Sequence, residues 1–112
     1  MELSGLLSNV APVTATYLGH DFNMKVWTEK LTPTYKAELV TLIYAEDASQ
    51  RKDENAHMLA QLVKEWDVVL EGEPFPPTYE NFMQLSYPCL NTLLRAIQEF
   101  LGDIANPQSA RG

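Results

Sequence analysis

The chain has 112 residues, 46 % hydrophobic and 21 % charged, with 8 basic against 15 acidic side chains and a net charge of −7. This is the composition of one globular domain that buries roughly two thirds of its unfolded surface, not of a disordered or collagen-like chain. The acidic balance argues against a nucleic-acid binder, which needs a basic face to replace phosphate counterions, and against docking on anionic membranes.

No apolar run approaches the ~18 residues of a transmembrane helix; residues 39–44 are among the longest. The N-terminus has no basic stretch ahead of its broken apolar run and reads as no signal peptide. Cys89 is the single cysteine, so no internal disulfide forms, and the chain fits a reducing cytosol.

Residues 1–13 read as a flexible lead-in. Residues 14–28 read as a β-hairpin. Thr14, Thr16, Tyr17 and Leu18 are strand formers, and Gly19-His20-Asp21 supplies the turn. Phe22, Met24 and Val26 then alternate with Asn23, Lys25 and Trp27. Trp27, on the otherwise polar face, marks a partner surface or caps the core edge. A lone hairpin is marginal in water, so it must pack on helices or pair with another chain, which makes a homo-oligomer an expectation.

Thr32-Pro33 starts a helix, because the hydroxyl caps free amides and proline at the first helical position loses nothing. Tyr35, Leu39, Leu42 and Ile43 follow at helical spacing, to about Glu46. Residues 46–55 are almost wholly polar, without glycine or proline. They are either a loop with Asp47 or Ser49 capping a second helix, or the exposed middle of one helix over residues 33–66, and the break is favoured. Ala56, Leu59, Leu62, Val63 and Trp66 make the next helical stripe. Val68, Val69 and Leu70 suit a short strand before a proline-rich turn.

Thr78 caps a short helix from Tyr79 to about Leu85. A last helix runs from about Pro88 to Ile104, with Leu90, Leu93, Leu94, Ile97, Leu101 and Ile104 on one face. Residues 105–112 read as a polar tail. The expected fold is mainly α: one domain over residues 14–104, with three to five helices and an N-terminal β-hairpin. Leu39, Leu42, Leu59, Val63, Trp66, Leu90, Leu94, Ile97 and Leu101 should be buried together.

Chemistry-bearing patterns are weak. His20, His57 and Cys89 fall on separate elements and match no metal-ligand spacing. Asp67, Glu71 and Glu73 flank Gly72, but Val69 and Leu70 break the register of a calcium loop. Cys89 lies in the first turn of a helix, whose dipole favours a thiolate, yet no histidine or carboxylate pattern accompanies it, and a small buried hydrophobe is its ordinary role. The glycines are isolated, so no phosphate-cradling loop is present. No cofactor or metal is expected, and a binding module fits better than an enzyme. Five tyrosines, two tryptophans, four phenylalanines and four methionines suit adaptable protein contact as well as an ordinary core.

The most distinctive segment is Val63-Lys64-Glu65-Trp66-Asp67-Val68-Val69-Leu70-Glu71-Gly72-Glu73-Pro74-Phe75-Pro76-Pro77-Thr78-Tyr79-Glu80-Asn81-Phe82. Trp-Asp leads to Gly-x-Pro-x-Pro, then Thr-x-Glu-x-Phe, then Leu85-Ser86-Tyr87-Pro88 and a Leu/Ile helix. With Lys25-Val26-Trp27-Thr28 and Leu31-Thr32-Pro33 before it, this order resembles the tail assembly chaperones of long-tailed (siphovirus-type) bacteriophages over residues 14–104. The resemblance implies a protein of the host cytoplasm, absent from the finished virion. It would hold the apolar tape measure protein soluble and recruit tail tube protein to it. In many such phages a programmed ribosomal frameshift near the end of the gene adds a second domain to a minority of copies; the polar tail after Ile104 suits such a junction and equally an ordinary terminus. The candidate partner surface combines Trp27, Phe75 and Tyr79, with Phe75 held on the stiff Pro74-Phe75-Pro76-Pro77 backbone or else tucked onto the core. Other readings are a neck or tail-completion protein, a general adaptor, and a small enzyme using Cys89 or the acids near Gly72.

Overall fold

The computed structural model describes residues 10–30 and 32–105, with side chains through residue 100. The lead-in residues 1–9, Leu31, the tail residues 106–112 and the Leu101 side chain lie outside it.

Strands β1 (Val10–Tyr17) and β2 (His20–Trp27) form an antiparallel hairpin, and β3 (Val63–Trp66) pairs with the other edge of β2. The hairpin starts at Val10, inside the expected lead-in, because Ala11 and Val13 pair with Val26 and Met24. The two-residue loop makes Tyr17↔His20 the closing hydrogen-bonded pair. Pro12, five residues before Tyr17, therefore has its ring nitrogen turned away from β2. Proline is tolerated there only because β1 is an edge strand, and it removes a donor from the edge that another chain would pair with.

Alternation sorts the sheet. Val13, Ala15, Met24 and Val26 point inward and are buried. The outer face carries cross-strand polar pairs: Thr14 Oγ1 3.0 Å from Asn23 Oδ1, Thr16 Oγ1 2.7 Å from Asp21 Oδ1, and Lys25 Nζ 3.2 Å from Glu65.

Helices α1 (Pro33–Ile43), α2 (Lys52–Leu62), α3 (Tyr79–Gln84) and α4 (Tyr87–Ala105) cover the inner face. The starts of α1, α3 and α4 are capped by hydroxyls, whereas α2 starts after Arg51 with no side-chain cap, neither Asp47 nor Ser49 reaching it. The Thr32 hydroxyl accepts from Tyr35 N at 3.3 Å with Pro33 next in line, Thr78 accepts from Asn81 N at 3.2 Å, and Ser86 Oγ accepts from Cys89 N at 3.4 Å. Residues 46–55 do break the helix: a 3-10 turn at Ala48–Gln50 separates α1 from α2. The buried Asn55 Nδ2 donates back to the Arg51 carbonyl at 2.7 Å. Leu39 and Leu42 of α1, Leu59 and Leu62 of α2 and Leu90, Leu93, Leu94 and Ile97 of α4 meet the sheet in one core with Val63 and Phe82.

The expected mainly α class is corrected: the described residues form a mixed α/β fold, 53 % helical and 27 % strand. The stripe through Val63 and Trp66 misled because α2 stops at Leu62 and the chain turns directly into β3. A bulge there sets Trp66 opposite Met24 and Val63 opposite Val26, leaving Lys64 as the extra residue. The bulge restores a three-residue spacing on one face, which a helix also produces. The remaining strand is a small second hairpin, β4 (Val69–Leu70) and β5 (Glu73–Pro74), where one short strand was expected.

Candidate functional site

Trp66 organises the segment that carries the resemblance. Its ring lies 5.7 Å from Phe22, 6.4 Å from Phe75 and 5.0 Å from Phe82, centroid to centroid, and its Nε1–H donates to the Phe75 carbonyl. Asp67 receives the Asn23 backbone N–H at 3.1 Å and the Asn23 amide at 2.7 Å. These bonds hold its carboxyl below the ordinary carboxylate range, the side-chain bond contributing most. Asn81 Nδ2 donates to the Pro76 carbonyl at 2.8 Å. Trp-Asp and the proline-rich stretch are thus bolted to the sheet and to α3.

This anchoring decides where the second hairpin points. β3 runs alongside β2 from Val26 towards Asn23, so the chain leaves the sheet heading for the β1–β2 turn. Val69 and Leu70 then lie at the rim of a cavity of about 250 Å³ whose walls include Phe22, Phe75 and Leu85. Tyr17 Oη, beside the β1–β2 turn, is 3.5 Å from Ser86 Oγ, beside Leu85. The start of the second hairpin and the α3–α4 junction therefore both lie towards the end of the sheet where β1 turns into β2.

That end is apolar and exposed. Leu18 is 79 % exposed, Val69 62 % and Leu70 54 %. Leu18 and Gly19 both have positive φ, 52° and 79°, as do Glu71 and Gly72, at 52° and 82°. Each pair is a two-residue hairpin turn whose first position favours asparagine, aspartate or glycine. A leucine there carries a left-handed backbone at a cost of about 1–2 kcal/mol and leaves its side chain in water. The two segments, residues 18–22 and 67–75, contain Asp21, Asp67, Glu71 and Glu73 and no lysine or arginine.

The expected partner residues are not brought together. Trp27 sits at the opposite end of β2, half-buried on the outer face, with Lys64 Nζ 5.1 Å from its ring centroid. Phe75 is 8 % exposed, the second of its two expected placements: Trp66 stacks on its ring and Val68 receives its backbone N–H at 3.1 Å, folding it onto the core. Tyr79 is half-buried and stacks on His57 at 4.0 Å. Leu18, Val69 and Leu70 were not singled out as site residues. The signal available for Leu18 was Leu18-Gly19 between Tyr17 and His20, a two-residue turn in which leucine is out of place.

A second concavity of about 480 Å³ lies between α1 and α2, with Leu42, Met58, His57 and Gln61 among its lining residues. Arg51 at its edge is paired with Asp47 at 3.0 Å and with Glu54 at 3.8 Å. Among the described residues no three histidine, cysteine or acidic side chains gather as a metal set. Cys89 is buried, and burial pushes its thiol pKa up, so the helix N-terminus does not make it a thiolate at neutral pH. No described helix is long and apolar enough to cross a membrane. The chain matches no family model, no curated protein and no solved structure.

Proposed function

We propose that this chain is a tail assembly chaperone of a long-tailed bacteriophage. In this reading it works in the host cytoplasm, binds the tape measure protein, keeps it soluble while tail tube subunits are recruited to it, and leaves before the virion is complete. The observation that carries the reading is the exposed apolar end formed by Leu18, Val69 and Leu70 on a chain of net charge −7. A holdase needs apolar surface for its client and net charge to keep the complex dissolved, and this chain carries both. The order of Trp66-Asp67, Gly72-x-Pro74 and Thr78-x-Glu80-x-Phe82 supports it further.

Co-expression with the tape measure protein of the same phage is the test. The tape measure should move from the insoluble to the soluble fraction and co-purify with this chain. A tape measure equally insoluble with and without the chain contradicts the function.

A further inference from the structure

We infer that the end of the sheet towards which both hairpins lead is the client-binding site, and that its occupant is an amphipathic helix whose apolar face is flanked by lysine or arginine. The inference deepens the chaperone reading and rests on it only for the identity of the client.

The first support is the backbone at Leu18. A leucine at φ 52° is held in a conformation where asparagine or glycine is at ease, and its side chain is 79 % exposed. Neither choice helps the fold: the side chain stays mostly in water and the turn is strained. Residues that break a local rule without a structural return cluster at sites of function. Val69 and Leu70 repeat the exposure on the second hairpin, which leaves the sheet towards the same end.

The second support is charge. Asp21 and Asp67 are engaged by Thr16 and Asn23, but Glu71 and Glu73 at the tip form no ion pair among the described residues. Residues 18–22 and 67–75 hold His20 but no lysine or arginine. An apolar patch with an acidic rim attracts an apolar face with a basic rim and disfavours an acidic client. It also disfavours a second copy, which would set the same four acids against themselves.

The third support is the kind of contact available. The exposed apolar side chains stand on turns and on a two-residue strand, too short to template a client strand. Recognition therefore runs through side chains, the mode in which an amphipathic helix presents anchors to a groove. The cavity between Phe22, Phe75 and Leu85 offers such a groove beneath Val69 and Leu70.

The probe is a labelled amphipathic peptide of about 20 residues, long enough to form a helix, with leucine on one face and lysine on its flanks. Its counterpart carries glutamate in place of the lysines. Fluorescence anisotropy with the full chain should show binding of the lysine peptide, at least about tenfold weaker binding of the glutamate peptide, and loss of affinity as salt rises. Leu18→Asn relieves the turn, so it should raise Tm by about 4 °C or more while weakening the lysine peptide about tenfold or more. Glu71→Gln with Glu73→Gln should remove most of the preference for lysine over glutamate.

Equal affinity for the two peptides overturns the proposal. So does unchanged binding by the more stable Leu18→Asn chain. So does a wild-type dimer that Leu18→Asn converts to monomer, which would make a second copy the occupant. If the peptide results hold but the tape measure stays insoluble, the site stands and the chaperone reading falls.

Discussion

Cys89 and Asp67 are displaced from their ordinary pKa values in opposite directions, by opposite causes. For Cys89, desolvation outweighs the helix N-terminus and keeps the thiol neutral. A thiol reagent at neutral pH should therefore modify native protein only as fast as the protein opens, and modify it promptly in denaturant; prompt modification of the native chain would show the cysteine to be accessible. For Asp67, the Asn23 amide and backbone N–H favour the carboxylate, so the folded pKa lies below the unfolded value of about 4. Its stabilising contribution is present above that unfolded value and is lost as pH falls through the folded pKa. Asp67→Asn should lower Tm at pH 7 and narrow the gap to wild type progressively below about pH 4. A gap that stays constant down to the acid limit would mean that the Asn23 bonds do not depend on charge.

At the level of elements, the helices were legible because their signals are local. Thr32-Pro33 and Thr78 cap where expected, and the four side chains Leu90, Leu93, Leu94 and Ile97 of α4 are all fully buried. Leu94→Ala should thus cost about 2–5 kcal/mol in chemical unfolding; a loss below about 0.5 kcal/mol would place that face against solvent or a partner. The sheet was half legible. Alternation revealed β2, but β3 depends on a partner strand distant in sequence and on a bulge that imitates helical spacing, which no local window separates from a helix. The site was the least legible part. Trp27, Phe75 and Tyr79 were chosen because aromatics suit interfaces, yet aromatics also suit a core, and Phe75 and Tyr79 are drawn to Trp66 and His57 by contacts that only the folded chain makes. Leu18, an aliphatic in a turn, carried less weight by composition and more by conformation.

Over the whole molecule, the described residues form a body of 40 × 36 × 24 Å with a polar outer sheet face, a helical layer opposite and an apolar end where β1 turns into β2 and towards which the second hairpin leaves the sheet. The sheet edge is poorly suited to pairing with another copy, since Pro12 interrupts β1 and β3 is short and bulged. Client binding at the apolar end should leave that architecture intact and change only which surfaces meet water. Amide hydrogen exchange of the chain, alone and in complex with the tape measure protein, reads this directly. Protection gained in residues 17–22 and 68–74, with α1 and α2 unchanged, is the expected result; exchange unchanged at both turns, with protection gained along the α1–α2 concavity or around Trp27, would contradict it.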